Sequence, residues 1–352
     1  MASTPYPHLL DPARFVGQVN GQATALFLLR NARGMVVAVT NLGAKVLQIV
    51  VPDRHGKAGD VALGYDSLEA VLRGSPSMGA FIGRYAGRIA QAGFTLGGTD
   101  YRLGANAGPH CIHGGPNGSR HQVFDAQQPG PDTLHLQRRF DSAGDGFPGS
   151  LELRLVYHLS DANELVIGYE ATASAGTSPA SFTSHIFFNL DGPGLDRIDA
   201  HQLQVRAQAL LLTDADKVCT GQRTALDGHA LDLRHARRLG DLPDLDHAYV
   251  VPPAAPDEAL PCIAHLYSPN SGRTLEVCST EPVLQVYGAD ALGVGERPDI
   301  GKNGVHHRPR AGLCLEPQQY PNAPNCPAFP LPCVTPERPY RGKTVYRFGV
   351  AG

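Results

Sequence analysis

Three side chains in this 352-residue chain could move protons, and each stands where its residue type is out of place. His185 lies in Thr183-Ser184-His185-Ile186-Phe187-Phe188-Asn189-Leu190, a run with strand character in which an aliphatic residue would be ordinary. Alternation puts Phe182, Ser184, Ile186, Phe188 and Leu190 on a core face, and Thr183, His185, Phe187 and Asn189 on a face suited to the wall of a polar pocket. A histidine satisfied within the core is the structural alternative. Glu316 closes Gly312-Leu313-Cys314-Leu315-Glu316 just before Pro317. An ionised carboxylate there is costly unless it sits at an exposed strand end or is held for a purpose. His113 precedes Gly114 and Gly115, where backbone can approach a ligand closely. A carboxylate with a pKa near ~4.3 and an imidazole near ~6.5 are the groups that general base and acid work needs at neutral pH. The His110-x-x-His113 spacing invites zinc, but no third and fourth ligands follow at sensible spacing and Cys111 points the other way in an extended segment, so no metal is assigned. Arg88, in a glycine-rich apolar stretch, is a candidate ligand clamp. Asp246, where a loop becomes a strand, and Gln285, an amide on an alternating face, are further polar candidates.

The elements that must hold these residues are mostly strands. Forty glycines and 29 prolines punctuate short apolar runs, the pattern of a turn-rich, mainly β protein. Residues 24–51 read as an antiparallel meander, 94–103 as a hairpin with a Gly-Gly turn, and 151–159 with 164–172 as an alternating strand pair. Ser67 reads as the N-cap of a short helix reaching Leu72. No linker or shift in composition divides residues 1–352, which predicts a single domain. A net charge of −3 without a Lys/Arg block makes nucleic acid and anionic membranes poor partners and favours a small neutral ligand. No window approaches a membrane span, and Met1 to Leu10 lacks signal-peptide character, so the expectation is a soluble, cytoplasmic protein, with a periplasmic one left open. Seven scattered cysteines without a C-x-x-C pair read as buried free thiols.

Taken together, Gly64-Tyr65-Asp66-Ser67-Leu68-Glu69, Gly83-Arg84-Tyr85-Ala86-Gly87-Arg88-Ile89, Ile112-His113-Gly114-Gly115, Asp145-Gly146-Phe147-Pro148-Gly149, the His185 run, Asp246-His247 and Cys314-Leu315-Glu316-Pro317-Gln318 resemble, in order and spacing, the aldose 1-epimerase (galactose mutarotase) family. The resemblance covers nearly the whole chain. It implies a large antiparallel β-sandwich of the galactose mutarotase-like (supersandwich) kind, and a cofactor-independent isomerase that interconverts the anomers of a monosaccharide such as glucose or galactose. It further implies Glu316 as base, His185 as acid, His113 as a second active-site histidine, and Arg88, Asp246 and Gln285 as contacts to sugar hydroxyls. Phe187 and Asn189 join them as sugar-contacting neighbours of His185. Gly87, Ser184 and Phe187 depart from the residues common in relatives (Asn, Asn and Tyr), which bears on sugar preference. Two alternatives stay open: a binding protein of the same fold without turnover, and a relative acting on sugar phosphates, for which Arg84, Arg120 and His306-His307-Arg308 are the basic groups. Either a monomer or a homodimer fits.

Overall fold

A computed structural model describes residues 8–192, 197–253, 260–295 and 298–351. The amino-terminal stretch read for a leader falls mostly outside them. Strands dominate and the named strand pairs are antiparallel. Nine strands form the largest sheet, with Asp125–Gly130 at one edge, Leu151–Ser160 beside Glu164–Ala173, Tyr340–Val350 at its centre and Arg237–Arg238 at the far edge. A second sheet has six strands, in the order Phe187–Phe188, Leu313–Gln318, Val283–Tyr287, Asp246–Val250, Ala209–Thr213 and Cys219–Thr224. The expected early meander is a four-stranded sheet, Leu26–Arg30, Val36–Thr40, Lys45–Pro52 and Ala58–Asp60.

Period-two sequence explains why these sheets stack. Along Glu164–Ala173 every second residue is buried. Leu153, Ile167, Val277 and Tyr346 of the large sheet share one apolar cluster with Leu284, Val286, Leu313 and Leu315 of the six-stranded sheet and Val37 and Ile49 of the meander. Burying such a face is what holds two sheets together. Tyr346 also reaches across, donating its hydroxyl hydrogen to the Leu315 carbonyl at 3.1 Å and meeting the Phe188 ring at 5.2 Å.

The helix predicted after Ser67 spans Leu68–Arg73, and the Ser67 side chain accepts from the Ala70 amide. The hairpin is Gly93–Leu96 paired with Thr99–Arg102. Two expectations change. Glu316 does not end its strand, which runs on through Pro317 to Gln318. Proline is tolerated there because the neighbouring Phe187–Phe188 strand pairs only with Cys314 and Leu313, so by Pro317 that edge is free. The cysteines are not all free thiols: Cys262 and Cys278 oppose each other on adjacent strands and form a disulfide, while Cys111, Cys219, Cys314 and Cys326 are buried and unpaired. Sixteen residues of sequence hide a juxtaposition that only strand register creates. Among the described residues no helix is long and apolar enough to cross a membrane.

Candidate active site

The six-stranded sheet shows its polar face to a cleft of about 340 Å³. Register sets its composition row by row. Gln285 lies opposite Glu316 on one side and Ala248 on the other, while in the next row Cys314 stands between Phe187 and Tyr287, with Asp246 beyond. In the strand after Leu313 the odd-numbered leucines face the core while Cys314, Glu316 and Gln318 face the cleft side.

His185 enters from the junction between Thr183–Ser184 and Phe187–Phe188. Its amide donates to the Ala80 carbonyl and its own carbonyl accepts from Gly79, both at 2.8 Å, so the backbone is pinned where the strand breaks. The imidazole Nε2 lies 3.6 Å from Glu316 Oε1, Nδ1 lies 3.4 Å from Cys314 Sγ, and Phe187 stacks on the ring at 5.0 Å. Glu316 is 2% exposed. Burial, with the Asp246 charge adding, pushes its carboxyl well above the usual range. Burial likewise lowers His185 to about 3, with Arg120 and Lys45 adding and Asp246 partly offsetting. Burial therefore favours the neutral form of both groups, whereas the residue types alone suggest an ionised Glu316 and a readily charged imidazole. Desolvation disfavours charge on both partners.

His113 sits edge-on to His185 with ring centroids 5.3 Å apart. Its Nδ1 accepts from the Gly87 amide at 3.3 Å, which leaves Nε2 as the protonated nitrogen. Burial first, then His185, Arg120 and Arg88, hold this imidazole well below its ordinary value. Its backbone is left-handed, φ 56°, and a tight turn follows: a Cβ at Gly114, φ 80°, would lie 2.2 Å from the Gly83 carbonyl oxygen. Gly87, also left-handed at φ 78°, borders the cleft, and a side chain there would meet Pro321.

Arg88, Asp246, Gln285 and Phe187 all line the cleft with His113, His185 and Glu316. Asp246 accepts from Gln285 Nε2 at 2.8 Å and from Lys217 Nζ at 2.9 Å. Asn189 does not join them. The chain turns after Phe188, and Asn189 is fully buried, donating to the Ala311 carbonyl and accepting from the Asp191 amide. Alternation fails there because the strand has already ended. Arg84 is structural too, bound to Asp145 at 2.7 Å and to the Pro148 and Gly149 carbonyls. His110 turns to Asp216 instead of sharing an ion with His113. Cys314 and Lys217 were not site candidates in sequence, although alternation from Glu316 would have found the first. His185, Cys314 and Glu316 are close enough to suggest metal ligands, but the thiol and the carboxylate address different ring nitrogens, an arrangement for hydrogen bonding along the ring.

Fold and cleft together define a class: antiparallel β proteins that hold a buried carboxylate and imidazole beside a small cleft lined by polar side chains. Residues 25–347 match the aldose 1-epimerase family model, and the chain belongs to that family. It is 36% identical to galactose mutarotase of Bos taurus over 325 residues, covering 90% of this chain and 91% of that one. With aldose 1-epimerase of Escherichia coli K12 the identity is 31%, covering 94% and 96%. The crystal structure of an aldose epimerase homologue from C. elegans superposes with a TM-score of 0.87 at 27% identity, covering 94% of this chain and all of that one.

Proposed function

We propose that the protein is an isomerase that interconverts the α and β anomers of a free aldose. The observation that carries this reading is the Glu316–His185 pair, 3.6 Å apart, buried yet bordering a cleft edged by Arg88, Asp246 and Gln285. The names of the relatives, galactose mutarotase and aldose 1-epimerase, point to the same reaction. Continuity of the sheets from Asp125 to Val350 supports one domain doing this work.

Opening the ring takes a proton from the anomeric hydroxyl and gives one to the ring oxygen as its bond to carbon 1 breaks. The aldehyde's C1–C2 bond then rotates, and closure on the other carbonyl face returns both protons. Glu316 is the base and His185 the acid on opening, and closure exchanges their roles. The productive state has one proton on the pair, carried by His185. Since burial favours the neutral form of Glu316, sugar hydroxyls donating to the carboxylate supply what favours its ionised form. With the pair's proton both ring nitrogens of His185 carry hydrogen: Nδ1–H donates to Cys314 Sγ, and Nε2–H is the one on the side of Glu316. His113 offers Nε2–H, and Arg88, Gln285 and Asp246 offer donors and acceptors to hydroxyls.

Polarimetry of freshly dissolved α-anomers of glucose, galactose, xylose and arabinose tests this directly. Mutarotation faster than the uncatalysed rate with at least one of them is expected. Flat traces with all of them, alongside measurable sugar binding, would establish the binding-protein alternative.

A further inference from the structure

Beside the acid–base pair the protein holds positive charge that no described carboxylate pairs with. Arg120 is 8% exposed and lines the cleft. Its Nη1 donates to the Ser77 hydroxyl at 2.8 Å and its Nε to His121 Nε2 at 3.1 Å. Lys45, 2% exposed, donates to the Pro76 carbonyl at 2.5 Å; burial first, with the Arg120 charge adding, lowers its ammonium to about 7. The contrast with Arg84 is instructive. That guanidinium, 1% exposed, has a carboxylate at 2.7 Å and two backbone carbonyls, the usual settlement for a buried cation. Arg120 has a hydroxyl and an imidazole. The cleft's other carboxylates are committed elsewhere: Asp246 to Lys217 and Gln285, Asp299 to Tyr65 and His307.

We propose that Arg120, supported by Ser77 and Lys45, is a subsite for an anionic substituent on the sugar, either a carboxylate or a phosphate ester at carbon 6. The position follows from the anomerisation reading, on which it rests. The ring oxygen joins carbon 1 to carbon 5, so a group that protonates it stands beside the carbon that bears carbon 6. Arg120 and Lys45 donate to Ser77 and Pro76, in the same turn whose Gly79 and Ala80 pin the His185 backbone, which puts the basic pair on the His185 side of the cleft. A guanidinium fork matches a carboxylate or a phosphate edge through two parallel hydrogen bonds. Uronic acids and hexose 6-phosphates are therefore the substrate classes this subsite fits, with neutral aldoses leaving it unfilled.

Isothermal calorimetry on the wild-type protein tests the subsite without depending on turnover, using galactose, galacturonate and galactose 6-phosphate as probes at low ionic strength. At least one acidic sugar is expected to bind about tenfold tighter than galactose, the scale of one charge-assisted hydrogen bond. Which of the two gains more tells carboxylate from phosphate. In Arg120→Gln the ratio of acidic to neutral affinity should fall by a similar factor, and Arg120→Lys, which keeps the charge, should restore part of it. Equal or weaker wild-type binding of both acidic sugars would overturn the subsite, as would a ratio unchanged in a folded Arg120→Gln. Polarimetry on the same sugars separates this outcome from failure of the anomerisation reading: galactose turned over without any acidic preference sinks only the subsite, while tight acidic binding with no turnover of any sugar overturns the anomerisation reading, and the placement beside the proton donor with it, and leaves the anion subsite standing.

Discussion

Glu316 and His185 are each buried against the preference of a charged group, and both activity and stability should show it. Glu316→Gln and His185→Ala are each expected to lower kcat by about 10² to 10⁴-fold while leaving a folded protein, as polarimetry and circular dichroism will show. The pH dependence of kcat/KM follows from the shared proton. A second proton is taken up only near 3, where His185 titrates. The rate should therefore hold roughly level from about pH 5 to neutrality, whereas an isolated imidazolium acid would lose activity as pH rose through about 6.5. A fall centred near that value, measured by NMR exchange between anomers, would refute the shared-proton pair. Stability carries the opposite signature. The folded-state pKa of Glu316 is raised above its ordinary 4.5, so its burial favours folding below that value and opposes it as pH rises toward the folded value. Glu316→Gln should accordingly melt at a higher temperature than the wild type at neutral pH, with the difference vanishing toward pH 4. At this scale the sequence was informative: Glu316, His185 and His113 were all legible as residue types out of place, and the structure brings them to one cleft. Their charge states were not, because desolvation depends on burial.

The strands and turns decide which of those residues meet. Three strands of the six-stranded sheet put Asp246, Gln285 and Glu316 on one face; alternation had marked Gln285, and the family resemblance had grouped the three. Asn189 shows where alternation stops being a guide, since a turn after Phe188 carries it away from the cleft. The Cys314 contact with His185 was equally hidden, because it depends on where the broken strand at residue 185 sits against its neighbour. His113 depends on a turn. Gly114 is left-handed and packed on the Gly83 carbonyl. Gly114→Ala is expected to cost more than about 1 kcal/mol of stability and to lower kcat/KM by displacing His113. Thermal melts and polarimetry on one preparation would show both losses together, and a loss of stability alone would separate the turn from the cleft.

For the whole molecule, a turn-rich, mainly β protein was legible from glycine and proline punctuation and from period-two runs, because burying one face per strand imposes that rhythm, whereas the sandwich came from the family resemblance. The disulfide was not, since its two cysteines become neighbours only through register between strands of the large sheet. Closing a loop of this length restricts the unfolded chain by about 3 kcal/mol in the loop-entropy account. Replacing Cys262 and Cys278 together by alanine should lower the melting temperature and leave anomerisation within about twofold of wild type, because neither cysteine borders the cleft. A large loss of rate in that variant would mean that the nine-stranded sheet sets the cleft's geometry more tightly than its contacts indicate.

The odd and even positions of Leu313–Gln318 belong to different worlds, leucines to the core and Cys314, Glu316 and Gln318 to the cleft. Substitutions at either set can be explored one codon at a time. Insertion or deletion of a single codon between 313 and 316 cannot, because it would exchange the two sets at a stroke. Genetic drift in this strand is thereby confined to replacement, and its length is expected to be as invariant among functional descendants as the glutamate it carries.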